Sequence, residues 1–170
     1  MINVMATLGN ISSRPVIAVA IAMIYVMSCL NACSFKQDTM AQFKALPGEG
    51  WSKDMPIRFT PEYADSTLTY DLQLTIRHNN SYQFSNLSLA VDMVDSVKVI
   101  HRKDVDFVLS DSYGNWQGSG FGALYQASII IVTGIKPSDV NSIVVWQTMA
   151  GCDVVKDVID IGITVAPSKN

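Results

Sequence analysis

Cysteine and histidine are scarce in this 170-residue chain, three of the first and two of the second, and that scarcity removes several kinds of protein at once. Three cysteines cannot build the dense disulfide framework of a small secreted scaffold. A structural zinc site needs four Cys or His ligands at set spacings, and Cys152 has neither type near it in sequence. His78 stands beside Asn79 and His101 beside Arg102, so both read as solvated turn residues. No metal and no cofactor is expected. Ser110, Ser112 and Ser119 lack the glycine frame of a nucleophile elbow. Asp92, Asp95, Asp104, Asp106 and Asp111 form no Asp-x-Asp-x-Asp-Gly calcium loop, and they read as groups that solvate corners and blunt strand edges. Gly118, Gly120 and Gly122 are not followed by the Lys-Ser/Thr of a phosphate loop. The chain is therefore not expected to be an enzyme. Charged residues make up only 16% with a net charge of -3, and no basic stripe argues for nucleic acid. Long helical periods, internal repeats and low-complexity segments are also missing.

What is present begins at Arg14. One cation precedes an uninterrupted apolar run, Val16 to Met27, which closes on small residues and cysteines. That is the layout of a secretory leader, and the apolar core is shorter than the roughly 20 residues of a membrane-spanning helix. Leu30-Asn31-Ala32-Cys33 resembles a bacterial lipobox, which implies cleavage before Cys33 and acylation of its thiol. Val26-Met27-Ser28-Cys29 fits less well, so Cys33 is preferred to Cys29. The expected organisation is a lipoprotein signal peptide over 1–32, a lipidated cysteine and tether over 33–53, and one domain over 54–170. Acyl chains anchor by burial at about 0.8 kcal/mol per methylene. Removing the leader takes away Arg14, its one charge, and leaves Cys152 as the single free thiol, so packing rather than disulfides must hold the domain together.

Within the domain the pattern has a period of two. Phe43 and Leu46 suggest one helical turn stopped by Pro47, and Met55 to Thr60 a short first strand with Pro56 confined to its start. Leu68, Tyr70, Leu72, Leu74 and Ile76 then occupy alternate positions, as do Leu87, Leu89, Val91 and Met93. Each run is a strand with one apolar face, and the His78-Asn79-Asn80-Ser81 turn between them suggests an antiparallel hairpin. Further strands are expected at Val97–Ile100, Val105–Leu109, Ala123–Val132 and Ile143–Trp146, with His101 to Asp104 as a charged corner. Val154 to Asp157 reads as a helical turn and Val158 to Val165 as a strand, in which Gly162 marks a bulge or a close approach. The sum is an all-β, antiparallel β-sandwich, jelly-roll-like or immunoglobulin-like.

Several separated stretches form a set: Phe43-Lys44 with Leu46-Pro47, Gly50-Trp51-Ser52-Lys53-Asp54 with Ile57 and Phe59, Tyr70, Arg77, Tyr82, and Asn86-Leu87 with Leu89. The set continues through Gly114-Asn115-Trp116-Gln117-Gly118-Ser119-Gly120, Gln147-Thr148-Met149 and Asp160-Ile161-Gly162-Ile163. Together, in this order, they resemble one family, the gliding motility lipoproteins of the GldH type from Bacteroidetes. The family pattern has an arginine after the methionine where Ala150 stands here, so no role of that arginine carries over. The resemblance implies an outer-membrane lipoprotein facing the periplasm, held by acyl chains. It implies other envelope proteins of the gliding and type IX secretion machinery as partners, and no catalysis.

Trp51, Trp116 and Trp146 are the remaining side chains of interest. Tryptophan near glycine stacks on sugars or anchors interfaces, whereas a small sandwich also uses it as core. Trp146, among β-branched neighbours, is expected to be buried, and Trp116 is the best surface candidate. Trp51, Trp116 and Tyr125 are the expected interaction residues, and the alternative function is a glycan-binding envelope lipoprotein with Trp116 and Tyr125 on sugar.

Overall fold

The computed structural model describes residues 39–96 and 98–169, so Cys29, Cys33 and the apolar leader lie outside the described residues. Eleven strands follow in order among the described residues: β1 (Met40–Ala45), β2 (Trp51–Ser52), β3 (Ile57–Phe59), β4 (Tyr70–Asn79), β5 (Asn86–Val94), β6 (Val99–Val108), β7 (Ser119–Phe121), β8 (Leu124–Ile135), β9 (Ser142–Gln147), β10 (Val154–Val155) and β11 (Val158–Pro167). The main pairings are nested. β5 pairs with β6, β4 with β8, β3 with β9 and β1 with β11, all antiparallel. The chain is thus one long hairpin, and rolling it up adds the pairs β11·β4 and β9·β5. The product is a five-stranded sheet, β1-β11-β4-β8-β7, and a four-stranded sheet, β3-β9-β5-β6, with β2 and β10 as a two-stranded ribbon. Nested pairing rolled into two sheets is the jelly-roll arrangement rather than the immunoglobulin one.

The alternation dictates this roll. Tyr70, Leu72, Leu74 and Ile76 have no accessible surface, nor do Leu87, Leu89 and Val91, with Met93 buried beside them. Leu68, the first residue of the expected alternation, lies outside β4 and is exposed. β4 and β5 do not form the hairpin expected from their sequence. They lie in different sheets, and the connection 80–85 carries the chain from one sheet to the other. A hairpin would have left both apolar faces on one side, still needing a cover, whereas the fold sets them in one common core.

Other local expectations also yield to pairing. The stretch assigned to the tether contains β1, which pairs with β11 from Met40↔Val165 to Ala45↔Asp160 and replaces the helical turn read at Phe43 and Leu46. His101 to Asp104 is not a corner but the middle of β6, where its charges alternate on an edge strand. Val154 and Val155 form β10 against Trp51 and Ser52 instead of a helical turn. Gly162 does mark a close approach, because the Phe43 ring lies where a Cβ would stand.

The open edges of the two sheets are tied across the sandwich by polar side chains. Lys44 Nζ donates to Arg58 O at 2.6 Å and Gln42 Nε2 to Thr60 O at 2.8 Å, joining β1 to the β3 segment. On the other side Lys103 of β6 donates to Ile130 O at 3.3 Å and Ile131 O at 2.7 Å on β8. Two consecutive carbonyls meet one ammonium because the β4·β8 register slips there: Leu72 faces Val132 and Gln73 faces Ile130, leaving Ile131 as the extra residue of a bulge. Lysines and bulges at edges block strand addition. Lys103→Met should lower stability by about 1–2 kcal/mol, the cost of leaving the part-buried Ile131 carbonyl without its charged donor. It should also promote concentration-dependent association, and urea unfolding with light scattering checks both.

Candidate functional site

One end of the five-stranded sheet gathers most of the side chains with chemistry, and the register explains how. Arg77 and His78 are consecutive on β4, so they face opposite sides. The same holds for Tyr125 and Gln126 on β8, which pair with His78 and Arg77 respectively.

On the inner side His78 is completely buried, not a solvated turn residue. Its Nδ1 lies 3.0 Å from Asn79 O. A carbonyl only accepts, so the proton is on Nδ1 and Nε2 carries a lone pair, buried with no hydrogen-bond partner. Aromatic rings surround the imidazole. Tyr125 stacks on it with centroids 5.6 Å apart and planes at 18°, Trp116 meets it edge-on at 4.7 Å, and Tyr82 lies at 5.4 Å. Trp116 and Tyr125, the expected sugar-stacking pair, do come together, with centroids 6.0 Å apart and both half-buried. Their rings pack on His78 rather than standing free. Desolvation lowers the pKa of His78, opposed by its bond to Asn79 O. Burial first, then Cys152 and Asp106, raise the Tyr82 phenol, which donates to Asn86 O at 2.8 Å.

Trp116 is held by a turn built on Asp111, whose carboxylate accepts from the backbone N–H groups of Tyr113 and Asn115 and from the Asn115 amide, each at 2.9 Å. The Asn115 side chain and then its backbone hold the Asp111 pKa below the usual carboxylate value. The turn presents Tyr113 with 89% of its surface exposed.

On the outer side, the register aligns Asp160, Arg77, Gln126 and Ser119 in one row across β11, β4, β8 and β7. Arg77 Nε donates to Asp160 Oδ1 at 2.7 Å, and its guanidinium carbon lies 4.4 Å from the centroid of the Phe43 ring. Phe43 in turn covers Gly162. Residues from four of the separated motifs of the sequence therefore meet here: Phe43, Arg77, Ser119-Gly120 and Asp160-Gly162. Arg77, Ser119, Gly120, Leu124 and Gln126 line a shallow pocket of about 270 Å³.

The other candidates lie elsewhere. Trp51 has no accessible surface and donates its indole N–H to Met55 O at 2.7 Å, so its side chain belongs to the core. Trp146, expected inside, is instead half-buried on the outer face of the four-stranded sheet. There its N–H reaches Asp92 Oδ2 at 3.0 Å, and Arg102 bonds the same carboxylate. Ile143 and Val145 take the inward positions, which leaves Trp146 outside. His78 was missed because its neighbours in sequence are polar. The available signal was its place in the alternation two residues after Ile76. Among the described residues no group of three His, Cys, Asp or Glu is placed to hold a metal ion.

A jelly-roll β-sandwich with no metal cluster among its described residues, bearing an aromatic cluster inside one end and a polar row outside it, is the class of domain seen here. The profile of the GldH lipoprotein family matches residues 38–165, and the chain belongs to that family. It is 27% identical over 128 residues to "Gliding motility lipoprotein GldH homolog" of Christiangramia forsetii, covering 71% of this chain and 79% of that one. It is 26% identical over 101 residues to "Gliding motility lipoprotein GldH" of Flavobacterium johnsoniae, covering 59% and 63%. Among solved structures, the tobacco streak virus coat protein dimer aligns with a TM-score of 0.35 at 9% identity over 81% of this chain and 91% of that one. The infectious bursal disease virus VP2 particle protein aligns at 0.30 and 8% over 78% and 32%. At those scores the likeness carries no argument.

The buried imidazole makes stability depend on pH. Its folded pKa lies below the ordinary 6.5, so its contribution is complete above 6.5 and is lost as pH falls from there through the folded value. The unfolding midpoint in urea should drop as pH falls below 6.5, and His78→Phe, which keeps a ring in place, should flatten that slope.

Proposed function

We propose that the protein is a lipid-anchored, non-enzymatic component of the envelope machinery for gliding motility and type IX secretion. Cys33 carries the acyl chains in the outer membrane, and the domain faces the periplasm. Its partners are other envelope proteins of that apparatus. The family match over 38–165 carries this reading, and the Leu30-Asn31-Ala32-Cys33 motif directly upstream supports the anchor.

The strand register supports an orientation. Met40 pairs with Val165 at one end of β11, whereas His78 pairs with Val158 at the other. The run from Cys33 to Met40 reaches no more than about 25 Å when fully extended. The end at which β1 begins therefore faces the leaflet, and the end with Trp116, Tyr113 and Arg77 faces away from it, toward partners. The carboxylates at that end already have structural work. Asp160 pairs with Arg77, and Asp111 closes its own turn. Both supports favour docking over catalysis.

Replacing Cys33 by alanine should abolish uptake of labelled palmitate, release the protein from the membrane fraction and impair surface motility and secretion. Retained label and membrane fractionation would transfer the anchor to Cys29, which Cys29→Ala then checks. Unchanged motility and secretion in a strain lacking the whole gene would reject the machinery role itself.

A further inference from the structure

The outer-face row has properties that neither the anchor nor the family accounts for. Every strand that Arg77, Gln126 and Asp160 occupy is paired on both sides: β11 between β1 and β4, β4 between β11 and β8, and β8 between β4 and β7 at Gln126. At these three positions no strand edge is open for an added peptide strand to join, whereas β7, which carries Ser119, is itself the edge of the sheet. What the surface offers is side chains. Arg77 uses Nε on Asp160, and neither of its terminal nitrogens has a hydrogen bond among the described residues. The Gln126 amide and the Ser119 hydroxyl have none either.

Asp160, at 2.7 Å, offsets the guanidinium charge and also fixes its plane. The Phe43 ring holds that plane from one side at 4.4 Å. The pocket therefore presents a pre-oriented guanidinium, an amide and a hydroxyl, with little net charge. The guanidinium donates, and the amide and the hydroxyl each donate and accept, a mixture that sugar hydroxyl groups match because they also do both. Leu124 and Gly120 supply an apolar floor. A Cβ on Gly120 would turn to the inner side and meet Leu124 O and the Tyr125 ring at 3.1 Å, so glycine there lets β7 lie close against Tyr125. At about 270 Å³ the pocket is below the ~300–1,000 Å³ of a drug-sized site. It suits one ring of a longer chain whose other units remain in solvent.

We propose that Arg77, Gln126 and Ser119, braced by Asp160 and Phe43 on the outer face of the five-stranded sheet, bind the hydroxyl groups of a neutral saccharide. The place differs from the Trp116 and Tyr125 pair, whose rings are taken up by His78. The proposal does not depend on Cys33 or on any role in motility.

The test is calorimetric titration of the full acylated chain in detergent with short oligomers of glucose, mannose and N-acetylglucosamine, and with an oligomer of a uronic acid and an unrelated acidic peptide. At least one neutral oligomer should bind, and Gln126→Ala or Ser119→Ala should each weaken it about fivefold, the loss of one neutral hydrogen bond. Thr164→Ala, on the same sheet face but outside the row, should not. Near-UV circular dichroism of each variant should match the parent, so a lost signal reports the site rather than the fold. Silence toward all neutral oligomers, binding of only the uronic acid or the peptide, or binding indifferent to both substitutions would each overturn the proposal.

Discussion

Each long strand of this protein has one apolar side, and its nearest partner along the chain cannot cover that side because a paired strand adds to the same face. Burying a Leu, Ile or Phe side chain is worth about 1.5–3 kcal/mol, and β4 and β5 together hold seven apolar side chains larger than alanine with no accessible surface. Surface ion pairs, at about 0–1 kcal/mol, do not compete with this. Nested pairing of the chain into one long hairpin satisfies the backbone. Rolling that hairpin satisfies the apolar faces. The jelly-roll topology is what both requirements allow together, and the β4 to β5 crossing is its clearest expression.

Rolling leaves edges, and these determine where polar residues go. Lys44, Gln42 and Lys103 are not scattered surface groups. Each points along the rim of the sandwich to a carbonyl of the opposite sheet. The Ile131 bulge turns two carbonyls toward one lysine. A lysine tied across the rim both satisfies backbone groups and discourages a further strand from adding. It follows that docking to this domain is more readily served by the ends and outer faces of the sheets than by these rims.

The sandwich class was legible because a period of two is a direct imprint of a half-buried strand, and Tyr70 to Ile76 and Leu87 to Met93 carry it without interruption. The partner of each strand was not legible. Alternation says which side is wet and nothing about which strand lies alongside, so the β4–β5 hairpin was the wrong pairing of correctly read strands. Local polarity misled in the same way at His101 to Asp104, where an edge strand tolerates charge, and at His78, where one buried polar residue closes an apolar face. The family motifs were visible as separated words. Their meeting at Phe43, Arg77, Ser119 and Asp160 needed the register.

His78 links the two sides of the site. Because side chains alternate, a slip of one residue in the β4·β8 register would bring Arg77 into the aromatic cluster and His78 out to the row. An always-charged guanidinium in the place of a neutral imidazole, away from Asp160, is a costly exchange. Tyr125 stacked on His78 fixes the same register from β8, which sets Gln126 beside Arg77. The aromatic cluster inside the sheet thereby keeps the polar row aligned outside it. The buried Nε2 lone pair is tolerated within that arrangement, and the same ring keeps the guanidinium, amide and hydroxyl in line on the opposite face.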